Sequence, residues 1–128
     1  MAKIILVTLV HNRKHLVGQA IQSAVNQTLD KSLWQHLVID NCSEDGADKI
    51  CEVFANKYSH IKFVQNSTNL GQQKAYNLVL NSWLPQNAPG AEIFCILDSD
   101  DELMPNALEE AFKMFEAHPE IGGAYSGF

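Results

Sequence analysis

Ile93-Phe94-Cys95-Ile96-Leu97-Asp98-Ser99-Asp100-Asp101 is the stretch on which the reading of the fold turns. Five successive apolar positions leave no polar face, the pattern of a strand covered on both sides in a parallel sheet. The sequence therefore predicts a central strand here. It ends in three carboxylates within four residues. Like charges so close repel one another, and solubility alone gives no reason to set them at the mouth of a buried strand. Asp98 and Asp100 stand at i and i+2, so in an extended chain their side chains leave on the same side. Two hard oxygen ligands on one side suit Mg²⁺ or Mn²⁺ that also holds phosphate oxygens. The competing reading is an acidic approach to a helix beginning near Pro105, where the helix dipole favours anions. It accounts for Asp101 and Glu102 and leaves Asp98 unexplained.

Working outward, strand and helix signals alternate. Ile4-Ile5-Leu6-Val7, Leu37-Val38-Ile39 and Ile61-Lys62-Phe63-Val64 read as strands. Apolar residues at helical spacing mark helices over 14–27, from Ala47 to Tyr58, from Gln72 to Trp83, and from Pro105 through Phe115. Pro85, Pro89 and Gly90 are expected to break the chain before the acid-tipped strand. Gly122–Phe128 is a last strand candidate, and a chain ending there either closes its sheet or has been cut from something longer. The order β-α-β-α-β-α-β-α-β predicts an α/β fold, an open, mainly parallel sheet with helices on both faces. Ligands of such sheets bind at the carboxyl ends of the strands, where the strand order reverses.

The 128 residues fit a single domain, and 46% apolar against 19% charged residues is a globular composition. No apolar run reaches the roughly 18 residues of a membrane helix, and no cleavable leader is legible. A net charge of −6 without a Lys/Arg cluster disfavours nucleic acid. Cys42, Cys51 and Cys95 lack CxxC spacing, which points to free thiols and a cytoplasmic setting.

Three further groups carry chemistry. Asp40-Asn41 with Ser43 follows the second strand and serves either base recognition or an N-cap turn. Thr8-Leu9-Val10-His11-Asn12-Arg13 is expected as the turn after the first strand. It lacks the glycines of a dinucleotide or P-loop motif, and His11 there is either a lining residue or an ordinary surface histidine. Lys74, in the first turn of its helix and unfavourable to the helix dipole, either meets a ligand anion or is solvated. No nucleophile–base pair is legible.

Taken together these residues resemble the family 2 glycosyltransferases, the large inverting group of Rossmann-like GT-A nucleotide-diphospho-sugar transferases. Ile21-Gln22-Ser23-Ala24-Val25-Asn26-Gln27-Thr28 is similar to that family's "I-x-S-v-x-N-Q-T", the most specific match. Val38–Gly46 resembles "V-V-D-D-G-S-x-D-G", and Asn69-Leu70-Gly71 with Asn77 resembles "N-x-G-x-x-x-A-R-N". Leu97–Asp101 with Met104-Pro105 and His118-Pro119-Glu120 resembles "L-D-x-D-D … P … H-P-e".

The resemblance implies transfer of a sugar, with inversion, from a nucleotide-diphosphate sugar to an acceptor hydroxyl. The donor is expected to be a UDP-sugar, with GDP- or dTDP-sugars as alternatives, and the acceptor a glycan, lipid-linked molecule or protein. Asp98-Ser99-Asp100 would be the DxD motif, with Asp100 and Asp98 holding Mn²⁺ or Mg²⁺ and Asp98 and Ser99 at the donor. Leu9, Val10, His11 and Asn12 would line the base pocket, Asp40 and Asn41 would recognise the base, and Lys74 would approach the diphosphate. Residues 1–128 would form one donor-binding domain truncated at its C-terminal end, with the general base beyond Phe128. The full-length protein would be cytoplasmic or sit at the inner face of the membrane. Three departures stand out: Leu9-Val10-His11 replaces Pro-Thr-Tyr, Asn41 replaces the second acid, and Tyr76 replaces the arginine of "A-R-N". The rival readings are a metal-dependent nucleotidyltransferase or phosphotransferase on the same acid pair, and a non-catalytic glycan- or partner-binding module.

Overall fold

A computed structural model describes residues 2–124. Its order is β1 (Ile4–Val10), α1 (Val17–Val25), β2 (Trp34–Asp40), α2 (Ala47–Lys57), β3 (Ile61–Gln65), α3 (Gln72–Leu78), α4 (Leu84–Asn87), β4 (Ile93–Ile96) and α5 (Ala107–Ala117). The four strands form one parallel sheet in the order β3-β2-β1-β4. β1 pairs with β2 from Ile4↔Trp34 to Val10↔Asp40 and with β4 from Ile4↔Ile93 to Val7↔Ile96.

Side chains alternate across the sheet and sort the helices by face. Ile4, Leu6, Val10 and Val38 pack against α1, α2 and α5 through Ala20, Ile21, Ala24, Cys51 and Leu108. Ile5, Val7, Leu37 and Ile39 pack against the α3–α4 segment through Tyr76, Val79, Trp83 and Leu84. The expected open α/β sheet with helices on both faces is therefore present. No helix among the described residues is long and apolar enough to cross a membrane, and the three cysteines are free.

The structure corrects several expectations. The central, fully covered strand is β1, whose Ile4, Ile5, Leu6 and Val7 are all buried. Among the described residues β4 is an edge strand, with Ile96 51% exposed. A continuous apolar run reports that both faces meet apolar surface, not that both edges are paired. Thr8, Leu9 and Val10 belong to β1 rather than to a turn, because Leu9 and Val10 still pair with Ile39 and Asp40. α1 begins at Val17 rather than at residue 14, after a turn in which Arg13 carbonyl accepts from the Leu16 and Val17 amides.

Pro85 does not break the chain. A π-turn over Val79–Trp83 joins α3 to α4, and Pro85 sits in the first turn of α4. A widened turn is a natural accommodation of a ring that removes an N–H and crowds the carbonyl four residues back. Pro105 precedes α5, whose cap is Asn106. Of the expected strand over 122–128, Gly122–Ala124 carry no strand and 125–128 lie outside the described residues.

Candidate functional site

β1 has β2 and β3 on one side and β4 on the other. The order reverses between β1 and β4, and a crevice at the strands' carboxyl ends follows from that topology. A cleft of about 420 Å³ opens there. Its walls are Leu9 at the end of β1, His11 and Arg13 in the next loop, and Asn41 after β2. The β3–α3 loop and α3 add Asn69, Gly71, Gln72 and Tyr76, and the segment after β4 adds Asp98, Ser99 and Asp100. A recess of similar volume at Gly18, Gln22, Asn26, Phe54 and Glu102 offers one carboxylate and no such convergence.

The acidic segment is a turn, not the extended chain expected from the sequence. Asp101 amide donates to Asp98 carbonyl at 3.1 Å. The turn gathers carboxylate oxygens of Asp98, Asp100 and Asp101 within 4.8 Å of one another, all exposed. Asp101 thus joins the expected pair of Asp98 and Asp100. It stands six residues ahead of α5, whose first turn carries Glu109 and Glu110 instead.

The turn's foundation is the α1 tail. Gln27, 5% exposed, donates to Met104 carbonyl at 2.7 Å and accepts from Leu108 amide at 2.9 Å. Ser23 Oγ accepts from Leu103 amide at 3.0 Å, and Thr28 amide donates to Pro105 carbonyl at 2.9 Å. The "S-x-x-x-Q-T" spacing therefore ties α1 to the chain running out of the acidic turn.

On the opposite wall Asn41 is 2% exposed and its amide is oriented by one backbone and one side-chain donor. Oδ1 accepts from Leu70 amide at 3.0 Å and from Asn66 Nδ2 at 3.2 Å. Nδ2 donates to Asn69 Oδ1 at 2.8 Å, an oxygen that also accepts from Gly71 amide at 2.9 Å. The oxygens of both asparagines are thus engaged, and their spare capacity is N–H. Gly71 makes the turn into α3 at φ +77° and ψ 164°, a region essentially reserved for glycine. Burial, and then the Asp98 carboxylate, push the Tyr76 hydroxyl above its ordinary range, against a bond with Gln72.

Of the residues expected at a donor site, Leu9, His11, Asn41, Asp98, Ser99 and Asp100 meet in this cleft. Four do not line it. Val10 is wholly buried against α1 and α2. Asp40 is also wholly buried, and its Oδ2 accepts from Ser43 amide at 3.0 Å and Gln65 Nε2 at 3.4 Å. Asn12 faces the β2–α2 loop, where its Oδ1 accepts from Glu44 amide at 2.8 Å. Lys74 is exposed on α3 away from the walls. The cation lining the cleft is Arg13. Arg13, Asn69, Gly71 and Tyr76 also line the cleft; in the sequence they are motif letters only, and their places after the ends of β1 and β3 are the signal that unites them.

The model of the family described as Glycosyl transferase family 2 matches residues 5–127. The uncharacterized glycosyltransferase MJ1057 of Methanocaldococcus jannaschii is 31% identical over 126 residues, which cover 98% of this chain and 41% of that protein. The structure of Staphylococcus aureus TarS residues 1–349 in complex with UDP-GlcNAc superposes with a TM-score of 0.79 at 24% identity, over 98% of this chain and 37% of that one. A mannosyltransferase from Pyrobaculum calidifontis in complex with GDP-Man and Mn²⁺ gives 0.76 at 21% identity, over 88% and 32%. The chain thus spans about two fifths or less of each of these proteins.

Proposed function

Because the chain belongs to glycosyl transferase family 2, we propose that its β1/β4 cleft is the donor site of a metal-dependent glycosyltransferase that uses a nucleotide-diphosphate sugar and inverts the anomeric centre. The observation that carries this reading is the Asp98–Asp101 turn, which gathers three exposed carboxylates on the rim of a cleft lined by polar groups from every other strand end. The similarity to structures holding UDP-GlcNAc, or GDP-Man with Mn²⁺, supports it.

The acidic turn fits a divalent cation by its donor chemistry. Three hard oxygen donors within 4.8 Å of one another are the ligand type that Mg²⁺ or Mn²⁺ takes alongside water and phosphate oxygens. Asp98 and Asp100, with Asp101, would hold Mn²⁺ or Mg²⁺. The ion would supply charge stabilisation for the nucleoside diphosphate as it leaves. Arg13, on the same cleft, adds a fixed positive charge for phosphate oxygens. Asn41 and Asn69 offer N–H groups, which meet a carbonyl oxygen of the base. Leu9 and the His11 ring give that base an apolar edge and a planar surface. The acceptor hydroxyl needs a general base, and we place both the base and the acceptor site in the portion of the relatives that this chain does not span.

Calorimetric titration with UDP-, dTDP- and GDP-sugars, each with Mn²⁺ and with Mg²⁺, tests the reading. One saturable site for at least one donor is expected, and a chain that binds none of them overturns it.

A further inference from the structure

The structure assigns Asn12 a positioning role: it fixes the tautomer and plane of His11 and ties the two loops that form the base side of the cleft. This inference rests on the donor-site reading above for its consequence, though not for its geometry. Asn12 adopts a left-handed backbone conformation, φ 52°, which asparagine tolerates better than most residues. Its own amide donates to Ser43 Oγ at 3.0 Å, and its Oδ1 accepts from Glu44 amide at 2.8 Å. One residue on, Lys14 amide donates to Asp45 Oδ2 at 2.9 Å. The β1–α1 and β2–α2 loops are therefore joined by three backbone N–H donors.

These bonds settle the chemistry of the ring beside them. A backbone N–H can only donate, so Oδ1 must face Glu44 and Nδ2 must face His11. Nδ2 donates to His11 Nε2 at 3.3 Å, which makes Nε2 an acceptor. Independently, His11 Nδ1 lies 2.9 Å from the carbonyl oxygen of Asn41, which only accepts, so Nδ1 carries the proton. Both constraints select the same neutral tautomer. With its two nitrogens engaged, the ring keeps no free nitrogen to hydrogen-bond a ligand. The carbonyl that holds Nδ1 belongs to Asn41, so ring and amide on the base side are set by one network.

Asn12→Gly and Asn12→Asp separate this role from a merely structural one. Glycine keeps the left-handed backbone without strain and removes both side-chain bonds. Aspartate keeps an acceptor for Glu44 amide and sets a second acceptor against Nε2. Nitrogen-15 NMR of the ring at neutral pH, with titration of UDP and GDP in the presence of Mn²⁺, reads the outcome. The wild-type ring is expected to be protonated on Nδ1. Asn12→Gly should lose that preference and weaken nucleotide binding about tenfold. Asn12→Asp should draw a proton onto Nε2 while keeping the loops joined. An unchanged ring pattern in both variants overturns the assignment, whatever happens to affinity or melting temperature. A shifted ring pattern in a chain whose wild type binds neither nucleotide supports the assignment and removes the donor-site reading instead.

Discussion

His36 is wholly buried in β2, with Nε2 2.8 Å from Thr8 Oγ1 and Nδ1 without a partner. Burial, and then the nearby His60, lower its pKa from 6.5 to about 3. The folded chain therefore keeps the ring neutral where the unfolded chain takes up a proton. Stability from this group is complete above the unfolded value and is lost as pH falls through 6.5 toward 3, at about 1.4 kcal/mol per unit for one proton. His60 is lowered as well, by burial and then by Lys31, and acts in the same direction. Between pH 7.5 and 5, above the carboxylate range, urea unfolding should show a loss of about 2 kcal/mol. His36→Leu should flatten that slope. Equal stability at the two pH values would show that the ring is charged, or solvated, in the fold. At this scale the acidic residues of the site were legible because their chemistry sits in consecutive letters. The capture of Asn12 and Asp40 by loop amides was not, since a polar residue after a strand reads alike whether it faces a ligand or its own backbone.

Elements explain why some matched letters are where they are. The α1 tail was the most specific family match, yet the sequence offered no reason for its polar residues inside a buried helix face. The structure supplies one: Gln27 bridges Met104 carbonyl and Leu108 amide, and Ser23 takes the Leu103 amide. Gln27→Leu leaves the buried Leu108 amide without its partner, a loss of about 1–3 kcal/mol, while Met104 carbonyl still accepts from Ala107 amide at 3.0 Å. Chemical denaturation should register at least the lower figure, and nucleotide affinity should fall with it as the acidic turn loosens. A variant as stable as the wild type would mean that water or a neighbour replaces the amide at no cost. Helix boundaries were the less legible part. Periodicity carries through Val79–Asn87 whether the turns are α or π, and Pro85 marks a local change of pitch rather than an end.

At the scale of the molecule, alternating patterns were enough for an open parallel sheet with helices on both faces. They do not encode neighbours, so the apolar run over 93–97 reads as the centre of a sheet in which β1, not β4, has strands on both sides. The acids stand at the end of β4 and at the β1/β4 reversal whichever strand is central, which is why the candidate site was largely legible while the strand order was not. Arg13, Asn69 and Tyr76 reach that cleft only because the ends of β1 and β3 converge on the mouth of β4. The central claim is that the Asp98–Asp101 turn holds a cation through which a nucleotide-diphosphate sugar binds. The most direct test is the thermal stability of the wild type and of Asp100→Asn, each with UDP-GlcNAc or GDP-Man, with and without Mn²⁺. Ligand at about 100 times its Kd should add about 2.7 kcal/mol to the wild type only when metal and nucleotide sugar are both present, and should add far less to Asp100→Asn. Stabilisation that is independent of Mn²⁺, or that survives intact in Asp100→Asn, would contradict the account.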